Sequence, residues 1–134
     1  MDYHSDLDRI QPEDLTGFFV GWPNPPSPET HRRLLEGSAE FVAAVEPDTS
    51  RVVGYIAALT DGVLSAYISH LEVLPEFRGH GIGSTLVRSM LDRLADTYMI
   101  DVVCDEDVAP FYEQLGLQRW NAMIRRNYDS QSGR

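Results

Sequence analysis

The chain contains no lysine; all eleven of its basic residues are arginine. That excludes a Walker-type phosphate loop, whose lysine after the second glycine reaches the terminal phosphates. It has a single cysteine, Cys104. One thiol cannot form an internal disulfide, so the expectation is a reducing compartment and an inert, buried Cys104. No apolar run approaches the ~20 residues that a membrane-spanning helix requires. The first residues, MDYHSDLDRI, lack the apolar stretch of a signal peptide, and the expected location is the cytoplasm. Positive charge is scarce: 21 acidic residues leave a net charge of −10. Such a surface repels nucleic acid. It either attracts a cationic small molecule or basic peptide, or only keeps the protein soluble. No spacing of His, Cys, Asp and Glu suggests a metal site, and there is no internal repeat.

The 134 residues, 43% of them hydrophobic, suffice for one domain with its own core. The stretch from Tyr67 to Asp96 organises it, reading as a strand, a glycine-rich turn and a helix. Ile82, Leu86, Met90 and Leu94 recur every fourth residue, with Val87 and Leu91 widening the stripe, and Arg88, Asp92, Arg93 and Asp96 face water. The turn is Arg78-Gly79-His80-Gly81-Ile82-Gly83. Glycines admit positive φ and leave no Cβ between backbone and ligand. Successive amides there converge on an anion, helped by the unpaired first-turn N–H groups and dipole of the following helix. The ligand class is therefore a phosphate or pyrophosphate.

The remaining elements follow from punctuation. A short strand is expected around Tyr3. Pro12-Glu13-Asp14 opens a helix with Leu15, Phe18, Phe19 and Trp22 on its apolar face. Residues 23–28 are too proline-rich for helix or strand. They form either a linker or a stiff loop beside the site. Ser27 caps a second helix that ends near Gly37. Phe41–Val45 and Val52–Leu59 form a hairpin, and Asp61-Gly62 turns into the strand Tyr67–Val73. Met99–Cys104 is a buried strand, parallel to Tyr67–Val73 through a crossover. Asp105-Glu106-Asp107 either caps a helix over Val108–Leu115 that Gly116 ends, or clamps substrate. Residues 117–128 read as one or two last strands, and 129–134 as a frayed tail. The fold class is α/β with a mixed sheet: an antiparallel meander, then strand, glycine loop, helix and strand.

Two ligand families fit the glycine turn less well than a third. The dinucleotide fingerprint has Ser84 where its third glycine belongs, and too little chain follows for a doubly wound domain. The pattern Arg-x-x-Gly-x-Gly, after Leu71-x-Val73 and before an amphipathic helix, resembles the acetyl-CoA motif of the GNAT superfamily of N-acetyltransferases. Ala109-Pro110-Phe111-Tyr112-Glu113-Gln114-Leu115-Gly116-Leu117 resembles that family's A-x-F-Y-E-x-x-G-F segment. With the meander, the resemblance covers about residues 38–126. Leu117 replaces the usual phenylalanine, and Asp105 stands where many members carry asparagine.

The resemblance implies transfer of an acetyl group from acetyl-CoA to a primary amine of a small molecule or peptide, by direct attack in a ternary complex, without metal. It implies acceptor-side elements over about 11–37. It implies that the loop amides of Gly79, His80, Gly81, Ile82, Gly83 and Ser84 hold the pyrophosphate, with Arg78 contacting phosphate directly. The backbone of Leu71 and Val73 would pair with the pantetheine arm, with Asp105 and Tyr112 nearby. Tyr112 would serve the leaving thiolate; with an unperturbed pKa of ~10 against ~8.5 for a thiol, full proton transfer is uphill by roughly 2 kcal/mol. The base that deprotonates the amine is read as His70, Glu72 or a water chain to bulk; the two side chains share a face with Ile68 in a regular strand unless a bulge changes the parity. A freed amide near Leu71, Glu72 or Val73 would receive the oxyanion. His80 is expected to point to solvent. A homodimer is possible on the resemblance, and the alternative function is a non-catalytic CoA-binding module.

Overall fold

A computed structural model describes residues 1–133. Five strands form one sheet in sequence order: β1 (Asp2–His4), β2 (Glu40–Val45), β3 (Val52–Thr60), β4 (Ser65–Val73) and β5 (Met99–Val102). The first four are antiparallel; β5 lies parallel to β4. The crossover between them is helix α2 (Ile82–Arg93), whose Ile82, Leu86, Val87 and Met90 are buried on one sheet face. That approach needs Gly54 on β3. A Cβ there would stand 3.3 Å from Ile82 Cγ2, Leu86 Cδ1 and the Glu72 carbonyl oxygen.

The opposite face is covered on its β2–β3 side by helix α1 (Pro28–Gly37) and the chain before it. Ser27 caps α1 by accepting from the Thr30 N–H, and Pro28 begins it. Leu15, Phe18, Phe19 and Leu35 are buried there. Phe18 and His31 meet the ring of Tyr55 at 5.2 and 4.3 Å between centroids. The expected first helix is absent: Pro12–Leu15 makes one 3-10 turn. Thr16 is extended there, and Phe19 has φ 61. The spacing of Leu15, Phe18 and Phe19 mimics a helix, but a loop buries these residues.

β4 contains the feature that places the site. Ala57 pairs with His70 and Ala58 with Ile68, so Ser69 is an extra residue without an opposite number. This bulge flips the parity. Ile68 turns to the α2 face and is buried, whereas His70 and Glu72 take the Tyr55 face. The regular-strand expectation that Ile68 shares their face is corrected accordingly. Pairing of β4 with β5 covers only Ser65–Ile68, and beyond the bulge the β5-facing edge of β4 is open.

Other expectations also change. The last strand ends at Val102, so Cys104 lies past it and is exposed rather than buried. As an edge strand, β5 alternates between exposed and half-buried positions. The third helix, α3, is Ala109–Gln114 with Val108 as N-cap and no side-chain cap. The backbone carbonyl of Asp105 accepts from Val108 and Ala109 instead, and Glu106 pairs with Arg119. No strand forms in 118–127: among the described residues its backbone pairs with no neighbouring strand, and its one backbone–backbone bond is the Asn127 carbonyl accepting from the Ser130 N–H of the following turn. The tail is docked, not frayed. Tyr128–Ser130 makes a 3-10 turn, and the Asn24 N–H donates to Gln131 Oε1 at 3.0 Å. Arg134 of the expected tail lies outside the described residues. Among those residues no helix is long and apolar enough to cross a membrane.

Candidate functional site

The open edge of β4 is the first half of the site. Ladder bonds alternate along an antiparallel strand. The Leu74 N–H donates to the Val53 carbonyl at 2.8 Å, so by register Glu72 faces β3, and Leu71 and Val73 present N–H and C=O to the opposite side. Arg78 Nε donates to the Val73 carbonyl at 3.0 Å, which confirms that direction. An unpaired strand edge of this kind takes an extended ligand as an added strand.

At the end of that edge the glycine turn leads into α2. Gly79 and Gly81 have φ of 80 and 81, a region that costs other residues strain. Nothing lies within 4 Å of where a Cβ would stand on either. The first bond of the helix is from Thr85 N–H to the Gly81 carbonyl. The amides of Gly79, His80, Gly81, Ile82, Gly83 and Ser84 therefore have no backbone acceptor among the described residues, and α2 has no side-chain N-cap. His80 is exposed, its Nδ1 3.2 Å from the Phe77 carbonyl oxygen. Gly83 sits where a Cβ would be 3.5 Å from Phe111, which seats α3 beside the start of α2.

Tyr112 of α3 is 6% exposed, and its ring is 5.0 Å from that of Phe111. Burial first, then the neighbourhood of Cys104 and Tyr67, pushes its hydroxyl up to about 12. Partial burial and Asp105 also raise the Cys104 thiol. A thiol held protonated is a poor nucleophile. Asp105 is exposed, with its backbone carbonyl committed to the start of α3.

The second half of the site lies across β4. A groove of about 320 Å³ is lined by Phe19, Trp22, Arg33 and His70, with Ser130 and Gln131 from the tail. Burial lowers the His70 pKa below its ordinary value, so the ring is neutral at pH 7. Glu72, on the same face, is already engaged. Its Oε1 accepts from the Phe19 N–H at 2.8 Å and its Oε2 from the Val20 N–H at 3.2 Å. This carboxylate holds the groove wall in place, offsetting the ~1–3 kcal/mol that a positive φ costs a residue such as Phe19.

The fold thus brings His70 and Glu72 onto one face, sets Leu71 and Val73 on the open edge, and places Arg78 on Val73. Sequence reasoning missed His31. It is 1% exposed beneath Phe19, and neither ring nitrogen has a protein partner among the described residues. Its position at i+3 from Pro28 on a helix with Leu35 was the available signal.

The profile of the acetyltransferase (GNAT) family matches residues 7–117. A crystal structure described as a candidate acetyltransferase from Deinococcus radiodurans R1 superposes with a TM-score of 0.96 at 51% identity, covering 98% of this chain and 92% of that one. N-alpha-acetyltransferase 30 of Schizosaccharomyces pombe is 28% identical over 132 residues, 92% of this chain and 83% of the relative. The uncharacterised N-acetyltransferase ycf52 of Pyropia yezoensis is 27% identical over 101 residues, 72% of this chain. The match spans only 58% of that relative's length.

Proposed function

The chain belongs to the acetyltransferase (GNAT) family, and from that premise we propose that it transfers an acetyl group from acetyl-CoA to a primary amine of a small molecule or peptide, by direct attack in a ternary complex. The observation that carries the reading is two stretches of backbone N–H groups without a protein acceptor among the described residues, the open edge at Leu71 and Val73 and the amides of residues 79–84. An extended arm ending in a pyrophosphate fits the two: strand-like pairing at one, convergent N–H donors at the other. Acetyl-CoA supplies the activated thioester.

The chain's own groups divide the remaining work. The groove behind β4 receives the amine, and the net charge of −10 favours its cationic form on approach. An alkylammonium titrating near ~10.4 must lose a proton before attack. His70, neutral and lining the groove, accepts it directly or through water. Glu72 is assigned to positioning, since both its oxygens are occupied by amides of the groove wall. An N–H on the open edge of β4, at Leu71 or Val73, stabilises the oxyanion. Tyr112 faces the leaving sulfur. With its hydroxyl at about 12 against ~8.5 for a thiol, complete proton transfer is uphill by roughly 5 kcal/mol. Tyr112 therefore donates a hydrogen bond to the developing thiolate.

The test is free-thiol release from acetyl-CoA against a panel of amines and peptides, with Tyr112→Phe alongside. Amine-dependent release that falls in the variant, at unchanged CoA affinity, supports the proposal. Absence of CoA binding in a calorimetric titration overturns it. CoA binding without thiol release for any amine or peptide of the panel would leave a non-catalytic binding module as the better description.

A further inference from the structure

We propose that the acceptor is a free α-amino acid with a large apolar side chain, held at three points of the groove behind β4: its amine at His70, its side chain on Phe19 and Trp22, and its carboxylate at Arg33. The inference rests on the acetyl-transfer reading and names the acceptor for it.

The groove has two chemically distinct walls around one candidate base. The first wall is aromatic. The rings of Phe19 and Trp22 lie 4.9 Å apart between centroids. Phe19 in turn stands perpendicular to His70 at 6.3 Å. A side chain laid on that wall is only a few bonds of ~1.5 Å from a nitrogen at His70, which is the relation between the amine of an α-amino acid and its own side chain. The second wall is polar and comes from α1. Thr30 and Arg33 are three residues apart, share one face of the helix and line the groove. His31 and Leu35 turn to the core instead.

Charge decides what the polar wall receives. None of the described residues that line the groove is acidic, and with His70 neutral the charge among them is the Arg33 guanidinium. Its five N–H donors suit a bidentate carboxylate and exceed what one partner uses. A second ammonium on the acceptor would meet that cation and no carboxylate. The Glu72 carboxylate, on the same face, is held by the amides of Phe19 and Val20. Diamines and aminosugars therefore fit the groove less well than a zwitterion does. Size points the same way. The groove volume of about 320 Å³ is at the lower end of the ~300–1,000 Å³ of small-molecule sites. The docked tail adds a further wall through Ser130 and Gln131, the latter tied to the Asn24 N–H at 3.0 Å. A single amino acid suits these bounds better than the end of a longer peptide.

The transfer forms the amide N–C bond and breaks the thioester C–S bond. Two protons leave the ammonium: one passes through His70 to solvent, and the other ends on the departing sulfur of CoA.

Two readouts on the full chain test the assignment: thiol release from acetyl-CoA, and calorimetric titration of the CoA-saturated protein with the same compounds. L-Phenylalanine is the probe. Phenethylamine lacks its carboxylate, alanine lacks its ring, lysine adds a second ammonium, and the dipeptide Phe-Ala extends its carboxyl end. Each should fall below phenylalanine in kcat/KM by at least about tenfold, the scale of one lost charge-assisted bond or one unburied ring. The two enantiomers of phenylalanine should differ to a similar degree, since three fixed contacts on one carbon distinguish them. Arg33→Gln should erase the preference over phenethylamine and keep the preference over alanine; Trp22→Ala should do the reverse. A merely structural role would lower all substrates alike. Any of the four analogues equal to or better than phenylalanine overturns the proposal, as does failure of phenylalanine to bind. Binding with these preferences but no thiol release would refute acetyl transfer and leave the groove assignment standing. Thiol release with the preferences reversed would do the opposite.

Discussion

His31 should make folding stability fall steeply as the solution is acidified. Its ring is 1% exposed and packed against Phe18, Phe19 and Tyr55 at centroid distances of 5.3, 4.9 and 4.3 Å. Burial in this aromatic nest, with a smaller contribution from His70, depresses its pKa to about 4. In the unfolded chain it titrates near ~6.5. Between those two values the unfolded state binds the extra proton and the folded state does not, so stability rises with pH there. The contribution is whole above 6.5, is lost as pH falls through the window, and stops changing below about 4. A gap of about 2.5 pH units at ~1.4 kcal/mol each amounts to about 3 kcal/mol. That is a large share of the ~5–15 kcal/mol by which a domain is stable. Urea unfolding between pH 7.5 and 4.5 reads it as a midpoint shift on the order of 1.5 M, for a slope near 2 kcal/mol/M. His70 and His4 are lowered too and steepen the same limb, so the control is His31→Phe, which removes the titration while keeping a ring. Its profile should lie flatter than that of the parent protein by about 2.5 kcal/mol over this range. Parallel profiles for the two proteins would refute the reasoning.

Three further substitutions test separate links. Tyr112→Phe should lower kcat by roughly 10²-fold, the scale of a lost transition-state donor, with CoA affinity held in a calorimetric titration. Glu72→Ala frees the amides of Phe19 and Val20 and should lower kcat/KM for the acceptor roughly 10- to 100-fold. Glu72→Gln, which keeps one acceptor oxygen, should recover part of that loss, whereas an essential base would give equal defects. Gly54→Ala puts a Cβ at 3.3 Å from α2 and from the Glu72 carbonyl oxygen. It should cost about 1–3 kcal/mol in denaturant unfolding as an overpacked core position.

What was legible in the sequence was local or periodic. The stripe Ile82, Leu86, Met90 faces the sheet as its spacing requires, and Ser27 caps α1 with its own side chain. The hairpin of β2 and β3 and the crossover to β5 follow from turn residues and length. What was not legible depends on partners distant in the chain. Leu15, Phe18 and Phe19 satisfy a helical template, yet the Glu72 carboxylate, over fifty residues later, draws their loop into another shape. Cys104 belonged to a plausible apolar run, but the pairing of β5 stops at Val102. Residues 118–127 have the composition of a strand and no intrachain edge to join. His31 shows locally only its i, i+4 spacing to Leu35 on α1; the aromatic cluster that buries it is assembled from α1, β3 and the loop at Phe19.

The bulge at Ser69 reconciles two demands on one strand that a regular alternation cannot meet. Ala66 and Ile68 must enter the core under α2, where they are 4% and 2% exposed. His70 and Glu72, two and four residues beyond Ile68, would then follow them into an apolar interior. There an unpaired carboxylate costs several kcal/mol. The extra residue turns the strand over at that point, so the apolar pair stays on one face and the polar pair meets the groove on the other. The same position ends the pairing with β5, since the last bonded couple is Ile68 with Val102. A single inserted residue therefore separates core from site, aims the imidazole, supplies the carboxylate that holds Phe19, and opens the edge at Leu71 and Val73.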